Sequence, residues 1–280
     1  MEDKTIQLPV IETDNACDES ETINYLVDSC SDVGTCRAIN QDACCVRMLK
    51  APSHMIVLAV VCDGVGGMEE GEYASKSTVQ SFHNWFDYKL SKIVMEEKPH
   101  QLFTVLSEAV KILIEEQNQV ILSYARKKGI HIGTTLTAML FVDHSYFIAQ
   151  IGDSRAYCMK EKLTQLTEDQ SLVAKEVREG KLTEEEARFD KRRNIILQCL
   201  GASENLVPVY QSGIIQRQAS YFLCSDGFVH QFRYKELEEA MNMNDVEDIS
   251  RIHNRLLQNI ETVKKRGEKD NITVVLVRTV

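Results

Sequence analysis

The chain has 280 residues, enough for one large domain or two small ones, and its 44% hydrophobic content allows a sizeable core. Lysine and arginine total 32 against 42 aspartates and glutamates, and the net charge of -10 with a pI near 5.3 excludes broad attraction to nucleic acid or to an anionic membrane. Nine cysteines, an odd number without a C-x-x-C pair, spell neither a disulfide framework nor a zinc knuckle. Cys62, Cys158 and Cys224 sit in apolar runs as small buried hydrophobes, so no nucleophilic cysteine is assigned. The first residues lack a basic start followed by an apolar stretch, and no apolar run approaches a membrane span. The expectation is a cytoplasmic protein with reduced thiols, binding neither membrane nor nucleic acid.

Residues 1–20 are polar and acidic, with little beyond Ile6, Leu8, Val10 and Ile11 to bury, and are expected to form a tail or an added edge strand. HMIVLAVVCDGVGG, from His54, is a dense apolar run stopped by glycines: a buried strand entering a tight loop, with Asp63 at its end. Ala74, Val79, Phe82, Trp85 and Phe86 recur at helical spacing within 72–90. After Pro99 a second helix is predicted, with Leu102, Leu106, Ala109, Val110, Leu113, Val120 and Ile121 on one stripe. TLTAMLFVDH, SYFIAQIGD, SRAYCMK, YFLCSDG and NITVVLVRTV are short, β-branched or aromatic runs that read as strands. Helical segments recur near 168–198 and 234–266. Strands, two helices, strands, helices and a final strand are not a βαβ alternation, and they predict α+β layers with helices outside stacked sheets. Without a repeat or a Gly/Ser tract, 21–280 reads as one domain. The almost wholly charged stretch 171–193 reads as a surface excursion, either a flap or an ordinary solvated helical hairpin.

Four aspartates share one local setting: Asp63 in VVCDG, Asp153 in AQIGDSR, Asp226 in FLCSDG and Asp270 in KDNITVV, each at a strand-to-loop junction. A lone Asp-Gly is ordinary turn chemistry, but four at the ends of buried strands would repel one another if those ends meet. Divalent cations would relieve that repulsion, and an all-oxygen shell selects Mg²⁺ or Mn²⁺ over zinc. Two such ions about 4 Å apart can activate a water against a phosphate ester, so no protein nucleophile is required. The absence of a G-x-S-x-G or a Walker loop fits this.

The order of these segments resembles the metal-dependent Ser/Thr protein phosphatases of the PPM or type 2C family, in a bacterial-like short form. From about Ser31 to Val280 the chain reads SDVGTCRAINQDA, VCDGVGGMEEGEYAS, GTTLTAML, AQIGDSRAYCM with LTEDQSL, RNIILQCLGA, FLCSDGF and KDNITVVLV, seven blocks in the family's order. The resemblance implies a β-sandwich of two mainly antiparallel sheets with helices on both sides, and a flap at 171–193. It implies that Asp63 bridges two metals, that the Gly64 carbonyl binds one of them, and that Asp226 and Asp270 complete the other. Asp153 with Asp226 would hold a third ion. Asn40-Gln41-Asp42 matches the family's Asn-Glu-Asp and brings Gln41 and Asp42 to the metal shell. Arg37 matches the arginine that grips the substrate phosphate, although such a side chain also serves in surface ion pairs. Gly66, Gly67, Thr134 and Thr135 match structural positions.

Two departures stand out. Gln41 puts an amide where the family has a carboxylate, which predicts weaker affinity at that metal rather than its loss. Met68 stands where some members carry a histidine proposed as general acid. The implied activity is hydrolysis of phosphoserine and phosphothreonine in phosphorylated proteins, opposing a Ser/Thr kinase. A catalytically weak regulatory binding module and a hydrolase of small phosphate esters are the other readings the sequence admits.

Overall fold

The computed structural model describes residues 23–280 apart from 53, 67–69, 244–245 and 247. The expected tail or edge strand at 1–20 lies outside the described residues, as do Gly67 and Met68. Two helical layers enclose two stacked antiparallel sheets, the α+β sandwich expected from the order of elements.

The first sheet has the order β1 (Tyr25–Asp32), β11 (Ile272–Thr279), β10 (Ser220–Cys224), β7 (Arg155–Met159), β8 (Leu163–Gln165). The second runs β2 (Asp42–Lys50), β3 (Met55–Gly66), β5 (Leu136–Val142), β6 (Ser145–Ile151), β9 (Val209–Ile214), with β4 (Ile132–Thr134) paired to the end of β3. β3 is a continuous apolar run because both its faces are covered. Ile56, Leu58, Val60 and Cys62 face the helices, while Met55, Val57, Ala59 and Val61 face the opposite sheet. β11 alternates likewise, with Val274 and Leu276 under one helical layer and Val275 and Val277 between the sheets.

Over the second sheet lie α1 (Glu70–Trp85), a π-helical stretch Phe86–Leu90, α2 (Ser91–Glu96) and the 30-residue α3 (Pro99–Lys128). Phe82, Trp85, Leu102, Leu106, Val110 and Ile121 bury their side chains there, as the helical spacing predicts. Val120 does not: it is 47% exposed, because its neighbour Ile121 takes the inward position. On the other side lie α6 (Asp226–Val229), α7 (Tyr234–Met241) and α8 (Ile249–Lys265), packed through Leu237, Met241, Ile252, Leu256, Ile260 and Val263.

The helical span expected near 168–198 contracts to α4 (Leu172–Arg178) and α5 (Glu184–Phe189). Gly180, at φ +71°, turns the chain between them. Thr183 and Glu186 close a reciprocal capping box at the start of α5. This hairpin has few buried side chains of its own, Val173 and Ala187 among them. It is tied down beside Asp153, where the Gln170 amide nitrogen donates to the Gly152 carbonyl and the Gly152 nitrogen donates to Gln170 Oε1.

Candidate metal centre

Antiparallel register brings the aspartates to one end of the sandwich. Asp42 opens β2 and stands directly opposite Asp63 on β3. β10 runs out at Cys224 where β11 begins at Ile272, so Asp226, just past one strand, meets Asp270, just before the other. Asp153 follows the end of β6. Asp42, Asp153 and Asp226 are buried, and Asp63 and Asp270 are half-buried.

The surrounding backbone is held by side-chain hydrogen bonds. Thr135 Oγ1 accepts from the Asp63 nitrogen at 2.9 Å, and Thr134 Oγ1 donates to the Asp63 carbonyl at 2.9 Å, so the GTT motif fixes the Asp63 backbone. Ser225 Oγ donates to Asp42 Oδ2 at 2.8 Å and accepts from the Thr273 nitrogen, which joins the two sheets at the site. Asn271 Oδ1 accepts from the Gln41 nitrogen, while its Nδ2 donates to the carbonyls of Val33 and Ile39. One amide thereby staples the loop that carries Arg37 to the turn that carries Asp270 into β11.

Two glycines permit this closeness. A Cβ on Gly64 would stand 2.4 Å from the Gly71 carbonyl oxygen and 2.6 Å from that of Gln41. Gly34, at φ +78°, adopts the left-handed conformation, and a Cβ there would meet the Asp270 carbonyl oxygen at 2.2 Å. Any side chain at either position would push the Arg37 loop or α1 away from the aspartates.

The electrostatics are those of buried carboxylates crowded together. Burial pushes the Asp42 carboxyl up to about 7, against hydrogen bonds from Thr273 and Ser225 that pull it down; Asp226 and Asp270 add to the rise. Asp63 is raised well above the ordinary range by burial, then by Asp42, Asp226, Asp153 and Asp270. Asp153 and Asp226 are raised by burial and neighbouring carboxylates too. Asp42 Oδ1 and Asp226 Oδ1 are buried without a hydrogen-bond partner, and so is Gln41 Nε2. Among the described residues no three of these carboxylates bring one oxygen each within 4.8 Å of one another. They stand around one end of the sandwich, close enough to raise one another's pKa. Orphaned carboxylate oxygens, mutual repulsion and an oxygen-only donor set fit hard divalent cations.

Arg37 is 49% exposed at the rim and donates from Nη2 to Asp270 Oδ2 at 2.8 Å. Two neighbours, half-buried His230 and buried Glu268, escape the sequence reading. His230 Nε2 lies 3.6 Å from Asp226 Oδ2, and His230 Nδ1 lies 3.9 Å from Glu268 Oε2. Glu268 Oε1 accepts from the nitrogens of Lys269 and Asp270 and so shapes the turn into β11. The signal for His230 is its place one helical turn after Asp226, which shows only once Asp226 is known to start a helix.

The Protein phosphatase 2C family model matches residues 37–270. The serine/threonine phosphatase stp of Listeria monocytogenes is 31% identical over 228 residues, covering 79% of this chain and 83% of that protein. The Streptococcus agalactiae serine/threonine phosphatase superposes with a TM-score of 0.76 at 26% identity over 91% of this chain and 99% of its own. The catalytic domain of the phosphatase PstP, solved with two manganese ions, gives 0.72 at 28% identity over 92% of this chain and 100% of that domain. These likenesses give no support to a regulatory binding module or to a hydrolase of small phosphate esters. No described helix is long and apolar enough to cross a membrane. The chain belongs to the protein phosphatase 2C family of metal-dependent serine/threonine phosphatases.

Proposed function

We propose that the ring of Asp42, Asp63, Asp153, Asp226 and Asp270, with the Gly64 carbonyl and Gln41, carries out the metal-dependent hydrolysis of phosphoserine and phosphothreonine that belongs to this family. The observation that carries the assignment is the pair of buried, unpartnered carboxylate oxygens, Asp42 Oδ1 and Asp226 Oδ1, in a ring whose members raise one another's pKa. These residues would hold two Mg²⁺ or Mn²⁺ ions, with a weaker third by Asp153 and Asp226, and such ions would supply a water deprotonated at neutral pH and positive charge against the phosphate oxygens.

The chain's own residues do the rest. Asp63, clamped through its backbone by Thr134 and Thr135, presents its carboxylate from the rigid end of β3. Asp42 and Asp226 face it from β2 and α6, with Ser225 fixing the Asp42 rotamer. Arg37 offers a planar, permanently charged fork to the substrate phosphate at the exposed rim. No side chain is asked to form a covalent intermediate.

The described chain acts as one catalytic unit, with 171–193 as a flap whose base is fixed at Gly152. Exposed Phe189 on that hairpin, with Ile195 and Leu197 just after it, gives a substrate protein apolar surface to meet. A cytoplasmic setting, a Ser/Thr kinase working in opposition, and no dealings with nucleic acid or membrane complete the reading; the net charge of -10 supports the last of these. The test is release of phosphate from a phosphothreonine peptide and from para-nitrophenyl phosphate with Mn²⁺, with Mg²⁺ and with chelator. Metal-dependent release from the peptide supports the reading. Release from the small ester alone would move the assignment to a small-ester hydrolase, and no release from folded protein in excess metal would move it to a binding module.

A further inference from the structure

Away from the aspartate ring, three side chains of different chemistry converge between β1 and α8. Asp28 and Cys30 are two residues apart on β1 and share the strand face turned toward α8. α8 brings His253 across them, with Nδ1 at 2.9 Å from Asp28 Oδ2 and 3.7 Å from Cys30 Sγ. The carboxylate oxygen, the sulfur and the imidazole nitrogen all lie within 4.8 Å of one another, the one trio of this kind among the described residues.

The geometry is not that of a nucleophilic triad. In a triad the histidine uses one ring nitrogen for the nucleophile and the other for the acid. Here Asp28 and Cys30 both face Nδ1, and one nitrogen has either one proton or one lone pair to offer. Convergence of three donors on a single point is instead how ligands stand around an ion. Zinc binds sulfur at about 2.3 Å and nitrogen at about 2.0 Å, so tetrahedral angles put those two ligand atoms about 3.5 Å apart. The observed 3.7 Å between Cys30 Sγ and His253 Nδ1 needs almost no adjustment, and the 2.9 Å to Asp28 needs a small opening. Cys30 is 6% exposed, whereas the His253 side chain is 48% exposed, so solvent reaches the site from the helix side.

We propose that Asp28, Cys30 and His253 form a second metal site, which takes a zinc-class cation between β1 and α8 with water as the fourth ligand. The donor set separates it from the aspartate ring: thiolate and imidazole suit zinc, cobalt or cadmium, whereas carboxylates and carbonyls suit magnesium and manganese. Binding joins the ion to Oδ2, Sγ and Nδ1 and releases the Cys30 proton to solvent. Burial and Asp28 push that thiol up to about 11, so it is protonated until the cation supplies the counter-charge. The ion fastens helix to edge strand just ahead of the Arg37 loop. Asp32, the last residue of β1, continues the link by pairing with Lys264 of α8 and accepting from the Gly34 nitrogen.

Titration of the reduced full chain with Co²⁺, in excess Mg²⁺, tests this directly, because a thiolate on cobalt gives an intense near-ultraviolet charge-transfer band that an all-oxygen site cannot give. The expected result is one equivalent of tetrahedral, thiolate-bound cobalt, displaced by Zn²⁺. The band should vanish in Cys30→Ser and survive in Cys36→Ser, which removes an exposed thiol. His253→Ala, on the exposed side of a helix, should cost more than the roughly 10- to 100-fold in affinity typical of losing a partner that only orients a ligand. Zn²⁺ should also raise the melting temperature of the wild type and not of Cys30→Ser. No thiolate band in folded wild-type protein, a band that persists in Cys30→Ser, or unchanged affinity in His253→Ala would each overturn the site.

Discussion

Arg37 donates from Nη2 to Asp270 Oδ2 over 2.8 Å, so the side chain assigned to the substrate phosphate and a carboxylate assigned to a metal ion are paired with each other. A cation held by Asp270 would offset the carboxylate's charge and free the guanidinium for the phosphate. On the proposed assignment the pair would link metal occupancy to substrate binding.

Arg37→Ala is expected to lower kcat/KM for a phosphothreonine peptide about 10- to 100-fold, the worth of a charged hydrogen bond, mainly through KM. The metal requirement should not rise, because the arginine competes for Asp270 rather than supporting it. Steady-state kinetics at saturating Mn²⁺ check both parts, and an unchanged KM would remove Arg37 from the phosphate site.

Gln41 is 8% exposed, and its Nε2 has no hydrogen-bond partner. A carboxylate there adds the charge that the ring's cation would meet. Gln41→Glu should lower the Mn²⁺ concentration for half-maximal rate, and a metal titration of the two proteins reads the difference. An unchanged or raised requirement would mean that Gln41 stands outside the shell.

Asp42 tests the electrostatics with a change of sign. A carboxyl raised from 3.8 to about 7 binds its proton more tightly folded than unfolded, so the ion-free protein loses stability as pH rises through that interval. Asp42→Asn removes the penalty and keeps an oxygen to accept from Ser225. With chelator, the variant should melt above the wild type at about pH 7.5, and the gain should fade toward about pH 4. In excess Mn²⁺ the order should reverse, because the wild type gains a ligand that the variant lacks. Differential scanning fluorimetry of both proteins across pH, with and without Mn²⁺, reads each comparison.

Arg155 holds the ground next to Asp153. Its Nε and Nη2 make a two-pronged pair with Asp169, and its Nη1 donates to the Tyr157 hydroxyl. Arg155→Met leaves the Asp169 carboxylate, 14% exposed, without its counter-charge and with Gln165 Nε2 still donating to it. A loss of about 3 kcal/mol is expected, the low end for such a pair because the arginine keeps some water contact. A urea midpoint unchanged by the substitution would show the pair to be ornamental to stability.

Much of this arrangement is legible in the sequence, for identifiable reasons. β3 and β11 announce themselves because burial on both faces leaves no polar position, and α3 because its apolar stripe is long. Asp63, Asp153, Asp226 and Asp270 mark their strand ends locally. β1, β2 and β9 escape because they are mixed in character: YLVDSCSD carries two acids on its helix side, and DACCVRMLK carries Arg47, which pairs with Asp87 of the π-helical stretch. Nor does sequence give the β2–β3 register that sets Asp42 opposite Asp63, which depends on how two distant segments align. His253 meets Cys30 across 223 positions, so the second site has no local pattern to find.

The most direct test of the aspartate ring is Mn²⁺ binding by calorimetry on wild type and Asp226→Asn, set beside phosphothreonine-peptide hydrolysis by the same preparations. The ring predicts two tight sites in the wild type, weakened or lost binding in the variant, and loss of turnover in step with it. Near-normal turnover in Asp226→Asn, or wild-type metal binding by a protein that no longer hydrolyses, would contradict the assignment of Asp226 to the metal centre.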